Sequence, residues 1–229
     1  MMAYLLRNNL VKNCQHCFMP GRSCFTPLLK VLDVWTQIVE QGGNIDNMYL
    51  NFDEAFDSVP HGRLRIELEG YGIRGSVLAR IRHFLLDCKQ CVVINGTKSS
   101  CVPVTSGVPQ GTVLGPLFFV CFINDMPEAI HSSIQMFVDD TKLFWEIKNQ
   151  TDCEELQKDL YELQESRKWL LKFDVMKCKR MHLGRTNSNE AYHMSQQDEE
   201  TALIETDHVK DMSVYDDNEF KFQAIVRRR

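Results

Sequence analysis

The stretch SIQMFVDDTKLFWEI, residues 133–147, places two adjacent carboxylates, Asp139 and Asp140, between two apolar segments. Apolar, β-favouring runs on either side of a short polar pair predict a β-hairpin, with its turn at Asp139–Asp140. Adjacent carboxylates repel each other and are hydrated, so an exposed turn accommodates them without any chemical role. Hard carboxylate oxygens are also the ligands that Mg²⁺ prefers, together with water and substrate phosphate. The hairpin alone leaves both interpretations open.

Two further stretches have features of a ligand site, and each is also typical of an ordinary loop after a strand or before a helix. In LNFDEAFDSVPH, residues 50–61, three acidic side chains directly follow IDNMYLNF, residues 45–52, which we predict to be a strand. In SGVPQGTVLGP, residues 106–116, glycines and prolines surround Gln110 and lead into an apolar helix over residues 113–126. A glycine-rich backbone approaches a ligand closely, and the amides at a helix start favour phosphate.

The other segments predict helices and hairpins in alternation. Asn95-Gly96 is a strong turn signal between two short strands. We predict that the helix after the acidic hairpin is capped by Thr151 or Asp152. Mixed helices and hairpins favour an α+β fold over a doubly wound sheet. The remaining predicted elements are helices over 28–41, 64–69, 76–87 and 151–173, a hairpin over 90–104, and a strand over 177–184.

Composition excludes a fibrous or wholly disordered chain. The 229 residues are 44% hydrophobic and 25% charged, which is ordinary for a globular protein. The net charge of -5 lies entirely in the last segment: residues 1–186 hold 21 basic and 21 acidic residues, and residues 187–229 hold 5 and 10. A neutral body with local basic clusters is compatible with nucleic acid as partner, because phosphate contacts need only a local basic stripe.

The cysteines and the hydropathy pattern favour an intracellular protein. Nine cysteines are scattered over the chain without a signal peptide before them. No run reaches the roughly 18 apolar residues of a membrane span. We therefore expect an intracellular protein, in the nucleus or the cytoplasm, and not a secreted one. We expect its thiols to be reduced and the protein to make no membrane contact. The spacing of Cys14-x-x-Cys17 and Cys88-x-x-Cys91 is typical of a four-thiolate zinc site. We do not predict zinc, because the two pairs are far apart in sequence and the second pair begins a predicted hairpin strand.

Taken in order, these stretches resemble the reverse transcriptase domain of non-LTR (LINE-type) retrotransposons. The resemblance rests on several long motifs at plausible spacing over roughly residues 15–225. The segments that carry it are QHCFMPGRSCFTPLL (15–29), LNFDEAFDSVPH (50–61), VVINGTKSSCVPVTSGVPQGTVLGPLFFVCFINDM (92–126), MFVDDTKLF (136–144), LQKDLYELQESRKWLLKFDVMKCKRMHLGR (156–185) and HVKDMSVYDDNEFKFQ (208–223).

The resemblance implies the palm of a right-hand polymerase, an antiparallel sheet backed by helices, with partial fingers and no thumb. Under it, residues 1–186 form the palm and partial fingers. Residues 187–229 form an acidic, partly disordered tail that contains a primer-grip-like segment, 208–222. The resemblance also implies that the chain begins part-way through the family's domain, as a fragment of a transposon reading frame.

The resemblance also implies roles for individual residues, in template-directed DNA synthesis from an RNA template, a DNA primer and dNTPs. Asp139 and Asp140 would hold two Mg²⁺ ions. Ala55 would offer its backbone amide to the triphosphate, and Phe56 would act as a steric gate against a 2′-hydroxyl. Lys177 would lie near the leaving pyrophosphate. The nucleotide site would further include Phe52, Gln110 and Gly111.

Position 51 departs from the family's pattern in a way that bears on activity. The family has its first catalytic aspartate there, and this chain has Asn51. A neutral amide bridges two Mg²⁺ ions poorly, so we expect impaired catalysis; Asp53, on the same strand face, could substitute only with a backbone shift. Smaller departures are Cys17, Glu54 and Ser213. The alternative is an inactive remnant that at most binds nucleic acid or protein, and the oligomeric state stays open.

Overall fold

The computed structural model describes residues 1–23, 25–86, 88–165, 169–196, 199–211, 214–218 and 223–224. In this part of the chain none of the helices is long and apolar enough to span a membrane. The helices are α1 (Met2–Arg7), α2 (Phe25–Glu40), α3 (His61–Gly70), α4 (Gly75–Leu86), α5 (Leu114–Ile123) and α6 (Gln150–Glu165), with a 3₁₀ turn at Met126–Ala129.

The strands build one main sheet and several two- or three-stranded ribbons. The main sheet has five strands in the order β11-β8-β1-β7-β6, and its pairs are antiparallel except β11 with β8. The strands are β1 (Asn44–Asn51), β2 (Lys89–Gln90), β3 (Val93–Ile94), β4 (Thr97–Lys98), β5 (Val102–Pro103), β6 (Ser133–Phe137), β7 (Asp140–Ile147), β8 (Lys179–Leu183), β9 (His193–Gln196), β10 (Glu199–Ala202), β11 (Ile204–Glu205), β12 (His208–Asp211), β13 (Val214–Asp217) and β14 (Gln223–Ala224).

The chain divides into two compact units. The first comprises Met1–Lys12, Asp53–Asp125 and Arg167–Leu171, and contains α1, α3, α4, α5 and the β2–β5 ribbons. The second comprises Asn13–Phe52, Met126–Ser166 and Lys172–Arg229, and contains the main sheet. The change of composition between residues 186 and 187 falls inside the second unit, where β8 and β11 lie on either side of it and pair with each other.

The described part of segment 187–229 is built into strands. Besides β11, it forms the β9–β10 hairpin and the β12–β13 hairpin. Tyr192 is buried, and its hydroxyl donates to Asp46 on β1. Ser213 and the three terminal arginines, Arg227 to Arg229, lie outside the described residues.

Three sequence predictions about local structure are wrong in detail. The turn of the acidic hairpin is Val138–Asp139, because Phe137 pairs with Asp140, which already belongs to β7. Val138 takes the positive φ of 59° that this two-residue turn requires. The long helix does not run to residue 173, since Leu170 has a left-handed φ of 54°.

The cap of α6 is also not the predicted residue. Asn149 supplies it: its Oδ1 accepts hydrogen bonds from the amides of Thr151 and Asp152, at 2.9 and 3.3 Å. Asp152 returns the interaction, because its Oδ2 accepts from the amides of Lys148 and Asn149. This reciprocal arrangement satisfies orphan amides at the helix start.

The core of the second unit lies on both faces of the main sheet. On one face α2 packs through Trp35, whose ring meets Phe144 edge to face at 5.7 Å. The buried cluster on this face also includes Ile45, Tyr49 and Met181. Because both faces are covered, six consecutive residues of β1 are buried and the strand does not alternate between apolar and polar positions.

A buried ion-pair cluster fastens the β12–β13 hairpin to the α2-covered face. Lys142 Nζ lies 2.6 Å from Asp211 Oδ2 and 2.8 Å from Asp216 Oδ2, and all three side chains are at most 5% exposed. Tyr49 donates its hydroxyl to Asp216 at 3.0 Å. The ammonium also lies 5.1 and 5.6 Å from the ring centres of Tyr49 and Trp35, within cation–π range.

Removing the cation should therefore be costly. We predict that Lys142→Met lowers the free energy of unfolding by about 3–5 kcal/mol at neutral pH, because two buried carboxylates lose their counter-ion. Burial raises the pKa of Asp216 even with Lys142 present, and the loss of Lys142 raises it further. A raised native pKa stabilises the protonated form, so the variant should regain part of its stability as the pH falls through that raised pKa.

Chemical denaturation at several pH values measures both effects. The matched control is Lys158→Met, on the exposed side of α6, which should change stability by less than about 0.5 kcal/mol. Equal losses for the two variants would show that the buried cluster does not hold the hairpin.

Candidate active site

The acidic hairpin and β1 meet at one end of the main sheet. Asn51, the last residue of β1, lies directly opposite Asp140 in the β1–β7 ladder. Asn51 Nδ2 donates a hydrogen bond to Asp140 Oδ1 at 3.1 Å. The next residue continues this contact, since the Phe52 amide donates to the Asp139 carbonyl at 3.3 Å. The structure thus brings together all three residues that we predicted to be catalytic.

Asp140 is electrostatically unusual in this position. Burial, and then the neighbouring Asp139 charge, raise the pKa of Asp140 to about 6, while the hydrogen bond from Asn51 opposes the shift. Cys17, at 2% exposure, lies beside the same turn. Burial raises the pKa of its thiol to about 12, although contact with the Val138 backbone lowers it. The turn therefore holds the Asp140 carboxylate in a partly desolvated position.

A cavity of about 210 Å³ opens next to Asn51 and Asp140, within the second unit. Lys177 lies at its rim, exposed, and pairs with Asp174 at 2.7 Å. That ammonium lowers the pKa of Asp174, and the Asp174 amide donates to the Asn51 carbonyl at 2.9 Å. The lining also includes Tyr49, Asp140, Lys142 and Asp211.

Phe52 directly follows β1, and its side chain is buried. Its side chain is 3% exposed, and its ring stacks on Phe173 with centroids 4.5 Å apart. It is well placed to support the end of β1. Its predicted contact with a nucleotide stays a prediction.

The remaining predicted nucleotide-site residues belong to the first unit, where two loops are bonded to each other. The Val108 amide donates to the Phe56 carbonyl at 2.7 Å, and the Gly107 amide donates to the Val59 carbonyl at 2.8 Å. His61 Nε2 lies 2.7 Å from the Gly107 carbonyl oxygen and helps to hold the same loop.

These bonds place the predicted residues on one pair of loops. Phe56 stacks on Phe119, with centroids 5.0 Å apart, and is half-buried. Ala55 is buried, whereas Gln110 and Gly111 are exposed at the loop before α5. Gln110 and Gly111 can therefore meet a ligand from solvent.

The donor set at the acidic hairpin fits one divalent cation. Mg²⁺ is commonly bound by one or two carboxylates together with water and substrate phosphates. Asp139 and Asp140 can supply the two carboxylates. Among the described residues no cluster of three or more acidic, histidine or cysteine side chains could hold a metal. Asn51 adds no charge, and its amide nitrogen is the atom that contacts Asp140. A centre built on three carboxylates does not fit the residues that the structure describes at this hairpin.

Sequence reasoning missed two charged residues of this site. Lys142 lies two positions beyond Asp140 on β7, and strand periodicity alone puts the two side chains on one face. Its partners, Asp211 and Asp216, are too distant in sequence for any local signal. Asp174 follows a stretch that we predicted to be helical, which concealed its role as partner of Lys177.

Comparison with known proteins decides the family. Residues 1–222 match the family model described as reverse transcriptase (RNA-dependent DNA polymerase). The chain belongs to the reverse transcriptase family.

Curated relatives of this reverse transcriptase domain come from mobile elements. It is 35% identical over 79 residues to the RNA-directed DNA polymerase from the mobile element jockey of Drosophila melanogaster, covering 34% of the chain and 8% of that protein. It is 25% identical over 162 residues to the probable RNA-directed DNA polymerase from transposon X-element of the same species, covering 68% of the chain and 18% of that protein. The resemblance to non-LTR retrotransposon polymerases is confirmed, and the chain spans less than a fifth of these relatives.

Solved structures confirm the right-hand polymerase fold predicted for the reverse transcriptase domain. It is similar to telomerase from Candida albicans in complex with a TWJ fragment of telomeric RNA, with a TM-score of 0.66 and 11% identity, over 97% of this chain and 36% of that one. The chain is also similar to apo telomerase from Candida tropicalis truncated from its C-terminal domain, with a TM-score of 0.64 and 10% identity. The match covers 97% of this chain and 43% of that telomerase chain.

The loop contacts in the first unit lead to a stability prediction. A Cβ on Gly107 would lie 2.8 Å from the Asp57 carbonyl oxygen, and its φ is +91°, so Gly107→Ala should cost roughly 2–5 kcal/mol. Gly111→Ala is the matched control, because Gly111 also has a positive φ of 76° but open space around it. We expect it to cost only about 1–2 kcal/mol in thermal or chemical unfolding. Equal costs would contradict the close approach of the two loops.

The donor set leads to a prediction about metal binding. Asn51→Asp should tighten Mn²⁺ binding at least about tenfold, because it adds a carboxylate opposite Asp140. Without a cation the same variant should unfold more easily, since it adds repulsion to a carboxylate whose pKa is already raised. Calorimetric titration and thermal unfolding with and without Mn²⁺ measure both effects.

The control for that experiment adds the same charge elsewhere in the second unit. Asn149 caps α6 just beyond the opposite end of the β1–β7 ladder, which is roughly 23 Å long. Asn149→Asp should leave Mn²⁺ affinity unchanged. An equal gain in both variants would mean that net charge, and not position 51, governs the binding.

Proposed function

We propose that this reverse transcriptase domain has the binding surfaces for template-directed DNA synthesis, and that Asn51 holds its catalytic rate far below that of a three-carboxylate centre. The observation that carries the proposal is the hydrogen bond from Asn51 Nδ2 to Asp140 Oδ1. An amide stands where a third carboxylate would complete the metal site. The substrates under this proposal are an RNA template, a DNA primer and dNTPs.

The proposed reaction transfers a nucleotidyl group. The primer 3′-oxygen forms a bond to the α-phosphorus of the dNTP, the bond to pyrophosphate breaks, and the hydroxyl proton passes to solvent. Two bound Mg²⁺ ions would supply the positive charge that stabilises the attacking and leaving oxygens. Asp139 and Asp140 would hold one such ion, and the second would be weakly held because Asn51 adds no charge.

The other predicted residues would bind and orient the substrate. Lys177 would offer its ammonium to the leaving pyrophosphate, a role consistent with its exposure beside Asn51 and Asp140. Ala55, Phe56, Gln110 and Gly111 would bound the nucleotide, with Phe56 beneath the sugar. The stacking of Phe56 on Phe119 supports a fixed ring position, which a steric gate requires.

A second candidate function is nucleic-acid binding without catalysis. Besides Lys142, three lysines, Lys177, Lys179 and Lys210, line the cavity beside Asn51 and Asp140. Their charge favours a phosphate backbone and does not depend on the metal centre. Affinity for a primer–template duplex that falls steeply with salt, without extension, would support this candidate.

Primer extension tests the proposal. We predict that Asn51→Asp raises the rate of dNTP incorporation on an RNA template at least about 100-fold over the chain as it stands, because it restores a carboxylate to the metal centre. Adding Asp139→Ala to this variant should abolish the gain. Asn149→Asp should leave the rate unchanged.

The decisive comparison is between the chain as it stands and Asn51→Asp. Equal extension by both would contradict the proposed role of Asn51. If Asn51→Asp binds Mn²⁺ more tightly but neither chain extends a primer, position 51 governs the metal site and does not by itself limit catalysis.

A further inference from the structure

Three cysteines lie along the hairpin of the first unit, outside the candidate active site. Strand β2 pairs with β5 through Lys89 with Pro103 and Gln90 with Val102. Beyond a short gap, the hairpin continues with β3 and β4. Cys91 lies in that gap on one strand, and Cys101 lies in it on the other.

The pairing on both sides of the gap fixes which residues face each other. Continued by one position, the register of Gln90 with Val102 places Cys91 opposite Cys101. On the far side, the Ser99 amide donates to the Val92 carbonyl at 2.9 Å. One residue on the first strand therefore opposes two on the second, which is the count of a β-bulge with Ser100 as the extra residue.

This register suits a disulfide. Directly opposed residues of an antiparallel pair have Cα atoms about 4.5–5.5 Å apart, within the roughly 4.4–6.8 Å that a disulfide spans. Their side chains also lie on one face of the ribbon. Cys101 is exposed and Cys91 is half-buried, so a soluble oxidant can reach at least one of the two thiols.

Other described cysteines are poorer partners. Cys88 is three positions before Cys91, on the opposite face of the strand, and its thiol donates to the Phe84 carbonyl at 3.1 Å. Cys121, in the same unit, is buried, and burial raises the pKa of its thiol to about 12, which makes it unreactive.

We propose that Cys91 and Cys101 form a redox-active dithiol site that closes to a cross-strand disulfide by exchange with a glutathione-type disulfide. The Cys101 thiolate attacks the glutathione disulfide, forms a mixed disulfide and releases one glutathione. The Cys91 thiolate then attacks the Cys101 sulfur, releases the second glutathione and forms the Cys91–Cys101 bond. Two protein thiols are oxidised and one glutathione disulfide is reduced to two thiols, with both thiol protons transferred to the released glutathione.

The Cys91–Cys101 disulfide would restrict the motion of a hairpin that carries exposed apolar side chains. Val92, Val93 and Ile94 are each at least 60% exposed, and β5 leads directly into the loop that carries Gln110. The disulfide closes a short loop and thereby limits the unfolded conformations of this ribbon.

Mass spectrometry of the full chain tests the site. The chain is equilibrated in glutathione disulfide, alkylated and digested with trypsin, which cuts after Lys89 and Lys98 and so places Cys88, Cys91 and Cys101 on three different peptides. We expect a Cys91–Cys101 linked pair in the chain as it stands and in Cys88→Ser. In Cys91→Ser we expect glutathione to remain on Cys101, at least about tenfold above its level in the unchanged chain, because no neighbouring thiol at millimolar effective concentration resolves it.

Two results would overturn the proposal. One is persistent glutathione on Cys101 at the same level with and without Cys91. The other is a link from Cys91 to Cys88 in place of Cys101. Circular dichroism of each Cys→Ser variant verifies that both comparisons are made on folded protein.

Discussion

The register between β1 and β7 is the constraint on which the site depends. Eight consecutive pairs run from Asn44 with Ile147 to Asn51 with Asp140. A shift of one residue would turn every side chain of β1 to the other face and would separate Asn51 from Asp140. The same ladder brings Tyr49 opposite Lys142, and both side chains contact Asp216. One register therefore determines both the contact between Asn51 and Asp140 and the contacts of the β12–β13 hairpin.

Buried charges on the two faces of the sheet hold that register in place. On the α2-covered face, Lys142 joins Asp211 and Asp216. On the other face, Asp46 accepts hydrogen bonds from Asn187 and Tyr192, and His182 Nδ1 lies 2.7 Å from it. Buried ion pairs are costly unless each member is satisfied, so they penalise every arrangement that separates them. They favour this one register, while the buried cluster around Trp35 and Ile45 adds apolar burial on the α2-covered face.

Local signals in the sequence predicted the elements well and their ends less well. Turn chemistry located the hairpin at Asn95-Gly96, and the sequence predicted helices at α2, α4 and α5. The turn at Val138–Asp139 was missed because a β-branched residue rarely adopts positive φ, and only the pairing of Phe137 with Asp140 requires it there. The cap of α6 was missed because Asn149 and Asp152 share the role reciprocally.

The site residues that belong to sequence motifs could be predicted, and their partners outside the motifs could not. Asn51 and Asp140 came from two separate motifs, and their contact follows from strand pairing. Lys142 with Asp211 and Asp216 could not be predicted, because charge pairs separated by 69 residues or more leave no periodic signal. The β9 and β10 strands were also hidden, since the polar composition of their segment resembles that of a solvated tail.

Anomalous diffraction from crystals soaked in Mn²⁺ would test the central claim most directly, because it locates the cation relative to residue 51. The account predicts, in the chain as it stands, density at Asp139 and Asp140 with the Asn51 amide nitrogen still turned to Asp140. In Asn51→Asp it predicts stronger density, with the new carboxylate as a ligand. Equal occupancy in both crystals, with the Asn51 side-chain oxygen coordinating the ion, would show that the amide serves as well as a carboxylate and would contradict the account.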